Sequence, residues 1–486
     1  MPKMTCAWLW TAVGVCITSI SVSGAVFSGN AELNQLADFK SAGSNWSEAG
    51  GLAGDPREEG GFIARAGKGV IVNQPSEAAR SDLYTEWEHA DMEFEGDFLL
   101  PKGSNSGVYF MGRYEIQLFD SWGRRTPGVQ DLGAVYPRWD GTRGKGRESF
   151  DGVAPLANAA RAPGLWQHLR VVFRAPRFDG QGRKVENARF TLVEVNGFPV
   201  QVDAVATGPT RASHFKTEAP FGPLMIQGSH GPVAFRGLRC TVPKASAAVS
   251  NGKRGRSATT PIILEVGDHV RIQRGFVPFQ PYKRLYACSV GTPEGGNYAY
   301  DTESFSVLRV WRGGFVDTSE MWEDRGTSQL AKPAGPFLTL SGAPGIALIE
   351  TPESDGWPTD PSPLYGFDGY RLETDGTPVF RAHLADLRLT DRVAPAKEGT
   401  GLTRTVRCEG RLPGWSCFLL LAESDQITPA PAGRSGFIVG DREWYVDFPT
   451  GTEHTPLVLS RGGRQWLVVP LTKDTLDKPV SYTLVW

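Results

Sequence analysis

Val108-Tyr109-Phe110-Met111-Gly112-Arg113-Tyr114-Glu115-Ile116-Gln117-Leu118 holds two short runs of β-branched and aromatic residues parted by a Gly-Arg break. Such runs predict two strands. In the second, Glu115 and Gln117 stand two apart, so a strand points both to one face, with Arg113 in line on the same face. An Arg, a Glu and a Gln in line are costly to bury unless they serve each other or a ligand. The other reading is the solvent face of an antiparallel sheet.

Similar runs flank this one: Val70-Ile71-Val72, Met92 to Glu95, Leu169 to Phe173, Phe190 to Val195 and Val233 to Arg236, with Gly, Pro or Asn between them. Val195-Asn196-Gly197-Phe198 carries the Asn-Gly pair suited to a type I′ hairpin turn. Strands in two stacked sheets, each burying one face, predict an all-β sandwich or jelly roll. Further along, Ser306 to Trp311, Phe337 to Leu340, Trp415 to Leu421, Trp466 to Pro470 and Val480 to Trp486 read the same way, the last as a strand tied into a sheet.

The chain has 486 residues, with 40% hydrophobic and 21% charged, enough for cores in two or three domains. Its net charge of −2, without a basic block, selects for no nucleic acid. Lys3, the apolar stretch Ala7 to Ile20 and the small residues Ser21 to Ala25 read as a secretory signal peptide over 1–25. That predicts a secreted or periplasmic protein, and no later segment is apolar enough to span a membrane. Residues 244–260 are small, polar and aperiodic, as a linker should be. They divide a unit at 30–243 from a β-rich accessory unit at 261–486. Export permits disulfides, and Cys408 and Cys417 flank a turn at Arg411 to Gly414, so they could face each other across two strands or stay reduced in a core.

Four stretches carry a resemblance. They are Pro101 to Tyr109, Gly112 to Gly123, Trp166-Gln167 with Phe173 to Phe178, and Gly222 to Arg236. In this order they are similar to motifs of the 3-keto-disaccharide hydrolase domain family, over about residues 45–240. The resemblance implies a concanavalin-like jelly roll, followed here by a second β-rich domain, and a carbohydrate substrate. It places Arg113, Gln117, Asn105, Tyr136, Arg138, Trp166 and Gln227 around the sugar, with Glu115, His230 and Asp120 as the reactive groups. Two positions depart from the family pattern. Ser229 stands before His230 where an Asp is common, removing a carboxylate partner for His230 or a metal, and Leu165 stands where a Glu is common before the Trp-Gln pair.

The residues bear on that chemistry directly. Arg113, Glu115 and Gln117 offer donors and acceptors matching sugar hydroxyls. Asn105, within Gly-Ser-Asn-Ser-Gly, suits a tight turn or a sugar contact. Tyr136, Arg138 and Trp139, in an irregular Gly-rich stretch, suit ring stacking or a core. The pattern Glu115-x-Gln117-x-x-Asp120 resembles the Glu-x-Asp-x-x-Glu of laminarinase-type glucanases, but odd spacing puts Asp120 on the opposite face unless a bulge intervenes. Five strand residues span roughly 16 Å, whereas a retaining mechanism needs carboxyl groups about 5–5.5 Å apart. Double displacement is therefore disfavoured. The resemblance instead implies that a ketone at C3 acidifies the C2 proton. Glu115 or His230 then removes it, the C1 substituent leaves, and water adds. Two further readings stay open: a non-catalytic carbohydrate-binding module and a glucanase. No phosphate loop, Cys-x-x-Cys or His-x-x-x-His motif occurs, although Glu115, Asp120 or His230 could take a hard divalent cation. Tyr298 to Asp301 and Arg309 to Phe315 could line a sugar cleft or pack between sheets.

Overall fold

A computed structural model describes residues 25–58, 61–243, 261–322, 328–350, 356–396, 400–412 and 416–486. The segment expected to be a signal peptide, apart from Ala25, and the expected linker at 244–260 lie outside these. Strands dominate; among the described residues the single α-helix is Ser319–Trp322.

The N-terminal half is a jelly-roll sandwich of two antiparallel sheets. The larger runs Phe198–Ala206, Ala188–Val195, Trp166–Arg174, Met92–Leu99, Val233–Val242, Ile63–Asn73 and Trp46–Ala53, with Gly29–Glu32 also paired to Val233–Val242. The smaller runs Leu83–His89, Gly222–Ile226, Asn105–Phe110 and Tyr114–Phe119. Alternation explains the core between them. Val108, Phe110, Tyr114, Ile116, Leu224 and Ile226 point inward from the small sheet, and Phe94, Phe98, Val171, Phe173 and Phe190 meet them from the large one. The Asn-Gly hairpin forms as expected: Val195 pairs with Phe198, and Asn196 and Gly197 have φ of 54° and 74°.

The C-terminal half is also β-structured, with sheets of three, five, four and eight strands. Val480–Val485 pairs with both Leu402–Gly410 and Trp444–Asp447, which ties the last strand in. Tyr298, Tyr300 and Trp311 are fully buried, so these aromatics pack cores. The stack of Tyr300 on Phe380, centroids 3.9 Å apart, shows how. A buried ion pair crosses this core. Arg404 meets Asp391 at 2.7 Å, and Tyr300 donates to the same carboxylate at 2.9 Å. Cys408 and Cys417 sit on strands of two different sheets rather than across a hairpin, and both are free and buried.

The halves meet along a seam. Arg57 pairs with Asp447 at 2.7 Å and lies over the Tyr445 ring at 4.1 Å. Arg434 pairs with Asp55, the Tyr445 hydroxyl donates to the Pro163 carbonyl, and the Trp122 indole donates to the Trp486 carbonyl.

Candidate active site

The strands Asn105–Phe110 and Tyr114–Phe119 run in unbroken register, with Tyr109 opposite Glu115 and Gly107 opposite Gln117. Met225 pairs with Tyr109 on the other side, and the Gln227 amide donates to the Gly107 carbonyl at 2.9 Å. Period-two alternation therefore gathers Tyr109, Glu115, Gln117 and Gln227 on the face turned away from the sandwich core. Gly133 to Tyr136 extends the sheet along the edge of Tyr114–Phe119, with the Tyr136 amide donating to the Glu115 carbonyl at 3.1 Å and the Gln117 backbone exchanging hydrogen bonds with Gly133 and Ala134. Glu115 is left only 2% exposed.

Gly107 makes room for the carboxyl, because a Cβ there would lie 2.3 Å from Glu115 Oε1. Burial pushes the Glu115 pKa up to about 8; a hydrogen bond from Tyr109 pulls it down, and the charge of Asp82 adds to the rise. With its amide nitrogen turned toward its acceptors, Gln117 donates to Glu115 Oε1 at 3.2 Å and to the Ser106 carbonyl at 2.9 Å. Glu115 Oε2 is buried without a partner. Gln227 donates to the Tyr109 hydroxyl at 3.1 Å on the same face.

Three residues join this face that the motifs did not single out. The Asp82 carboxylate accepts the Gly228 amide at 2.8 Å, and Tyr84 bonds both Asp82 and His214, at 3.3 and 3.1 Å. Sheet pairing brings them in, since Tyr84 stands opposite Met225. The available signal was the alternation Asp82-Leu83-Tyr84-Thr85, in which the apolar Leu83 faces the core. At the rim Tyr136 is half-buried, and Trp139, 46% exposed, carries the Arg211 guanidinium 4.0 Å above its ring.

Comparison with known proteins bears on this half of the chain. Residues 32–241 match the family model of the 3-keto-alpha-glucoside-1,2-lyase-like domain. Over these residues the chain is similar to that family. No curated protein matches the chain. Among solved structures, two candidate glycosyl hydrolases of Parabacteroides distasonis ATCC 8503 are similar. One is 21% identical (43% of this chain, 83% of the other, TM-score 0.30) and one 18% identical (41% and 93%, TM-score 0.26). The binding domain of botulinum neurotoxin serotype D aligns over 90% of this chain and 91% of its own at 7% identity and a TM-score of 0.23.

Elsewhere in the lyase-like domain the expected site residues scatter. Arg113 lies in the turn 111–113 ahead of the strand and makes no hydrogen bond to the Glu115 group. Its guanidinium donates to the carbonyls of Met111, Thr217 and Phe221 and lies over the Phe215 ring, which clamps the segment 215–221. Asp120 lies beyond the strand end with no bulge to turn it. Its carboxylate accepts the Gly103 and Trp122 amides, and burial raises its pKa. Asn105 starts its strand on the same face as Gly107 and Tyr109 and is half-buried. Arg138 bonds Thr207 and lies over Phe150. Trp166 is buried on the outer side of the large sheet against Leu52, Phe62 and Leu99, with Arg236 over its ring. It packs the sandwich back rather than the Glu115 face. His230 is exposed on the loop after Gly222–Ile226, with its Nδ1 3.0 Å from Ser229 Oγ. Among the described residues no cluster of three or more His, Cys, Asp or Glu is arranged for a metal.

Proposed function

We propose that the lyase-like domain cleaves the glycosidic bonds of 3-keto-disaccharides or related glycosides, outside the cytoplasm, with Glu115 as the proton-transfer residue. One observation carries this reading: a carboxyl in a family-matched sheet, walled from water, held near pKa 8 and left with one oxygen unpartnered. A base is most useful when its pKa lies near the working pH.

The chemistry follows from the ketone. A carbonyl at C3 stabilises the enolate left when the C2 proton departs. Glu115 takes that proton, the C1–O bond breaks with its electron pair on the departing oxygen, and the leaving group takes up a proton. Water then adds across C1 and C2, which completes a net hydrolysis. Tyr109 and Gln117 hold the Glu115 carboxyl in place, and Asp82, as a nearby negative charge, strengthens the base. Trp139 and Arg211 at the rim offer a ring face and donors to a sugar. That rim alone would also suit a binding module.

Incubating the full chain with a panel of 3-keto and ordinary glycosides, with and without chelator, tests the reading. Release of sugar from the 3-keto members supports it. Binding without release overturns it in favour of the module.

A further inference from the structure

Two cavities open along the seam between the lyase-like domain and the C-terminal half. The larger, about 470 Å³, is bordered by Arg124, Arg125 and Arg312 with Glu294 as its one carboxylate. A smaller one of about 20 Å³ shares Arg312 and Asn158 with it and adds Arg161. Guanidinium groups thus outnumber carboxylates here, in a chain whose net charge is −2.

Arg312 is the distinctive member. Its Nη2 donates to the Thr400 carbonyl at 2.7 Å, and its guanidinium lies 5.3 and 4.8 Å from the ring centres of Trp122 and Trp486. Among the described residues no carboxylate pairs with it, and burial lowers its pKa to about 10. Arg309, 8% exposed, also lacks a carboxylate among the described residues, but it does not border the cavity; three other deeply placed arginines differ. Arg57 and Arg404 each meet a carboxylate at 2.7 Å, and Arg113 gives its guanidinium to three backbone carbonyls. Arg161, in the neighbouring cavity, likewise donates only to a carbonyl, that of Trp166, and burial lowers its pKa. Arg124 is partly satisfied by Asp131 at 3.1 Å, and Arg125 by the Pro293 carbonyl. A charge desolvated without a counter-ion is costly. The Arg312 donors that border the cavity are therefore placed to take an anion, and a planar guanidinium suits the two oxygens of a carboxylate or sulfate.

We propose that this seam cleft binds the anionic group of an acidic saccharide, a uronate carboxylate or a sulfate ester, at a site separate from Glu115. The preference for an anion rests on the arginines. That the anion belongs to a saccharide rests on the carbohydrate reading of the lyase-like domain. Because Arg124 comes from one half and Arg312 from the other, an occupant would bridge them.

The test is calorimetric titration of the full chain with a uronate oligosaccharide, a sulfated one, a neutral one of equal length, and inorganic sulfate. Tighter binding of an acidic oligosaccharide than of the neutral one, with competition by inorganic sulfate, is expected, and comparing the two acidic ligands distinguishes carboxylate from sulfate. Arg312→Lys and the exposed variant Arg125→Ala should each weaken binding about tenfold or more, the scale of one charge-assisted hydrogen bond. Equal binding of neutral and acidic oligosaccharides, or unchanged affinity in both variants, overturns the proposal. Glu115→Gln should keep the anion affinity, and Arg125→Ala should keep any 3-keto-glycoside turnover. Anion binding without turnover in any form sinks the catalytic reading and leaves the cleft standing; turnover without anion binding does the reverse.

Discussion

Glu115 stands directly opposite Tyr109 in the pairing of Tyr114–Phe119 with Asn105–Phe110, and the Tyr109 hydroxyl accepts from Gln227 beside it. The pair is buried on the face of the sheet that does not meet the sandwich core. A sheet that hides polar side chains on its outer face has spent stability there.

Glu115→Gln keeps the shape of the side chain but cannot accept a proton. Turnover of a 3-keto glycoside should fall by about 10²–10⁴, the usual worth of a general base, while binding measured by calorimetry stays close to wild type. Unchanged turnover would remove Glu115 from the chemistry.

The pH profile follows from the same group. A base with pKa about 8 is only about one-tenth ionised at pH 7, so kcat/KM should climb through neutrality and level off above pH 8. A profile that falls through pH 8 would give Glu115 the acid role instead.

Stability should move the other way. The folded state holds the Glu115 proton up to about pH 8, whereas the ordinary value is 4.5. The unfolded chain therefore binds fewer protons over that window, and wild type loses stability as pH rises from 4.5 to 8. Relative to Glu115→Gln the loss should approach the order of 4 kcal/mol, read from urea unfolding at pH 5 and pH 9. A constant difference between the two proteins would contradict a raised pKa.

His89 titrates in the opposite sense. Its Nε2 accepts the Met111 amide at 3.0 Å and its Nδ1 faces the Ala90 carbonyl at 2.8 Å, and burial lowers its pKa from 6.5 to about 4. On acidification the unfolded chain takes a proton first, so stability should fall between pH 6.5 and 4, by on the order of 3 kcal/mol. Measured in the Glu115→Gln background, where the opposing carboxyl is gone, the unfolding midpoint should drop across this window. NMR titration of the His89 ring should show it neutral at pH 5.5.

At the seam, Asp447→Ala should leave Arg57, 9% exposed, with only its longer 3.7 Å contact to Asp55. A cost of about 1–3 kcal/mol is expected, below that of a fully buried pair because Asp447 is partly open to water. Trypsin, directed by composition to 244–260, should release two fragments from Asp447→Ala that separate on gel filtration more readily than those from wild type.

The sequence by itself determined the all-β class, the Asn196-Gly197 hairpin and the shared face of Glu115 and Gln117, because strand alternation and turn chemistry act over a few residues. The motifs around Glu115 also carried the family. What decided the rest was pairing between distant strands and loops. Asp82, Tyr84 and His214 reach the site only through the register of Leu83–His89 with Gly222–Ile226 and a loop laid over it. Arg113 is drawn from the site by the carbonyls of Met111, Thr217 and Phe221, and Trp166 faces the outer side of the other sheet. The burial that raises the Glu115 pKa is likewise tertiary, since Asp82 and Gln227, which share its face, come from outside the strand pair. Local spacing dictates which way a side chain points; only the folded chain decides what closes over it.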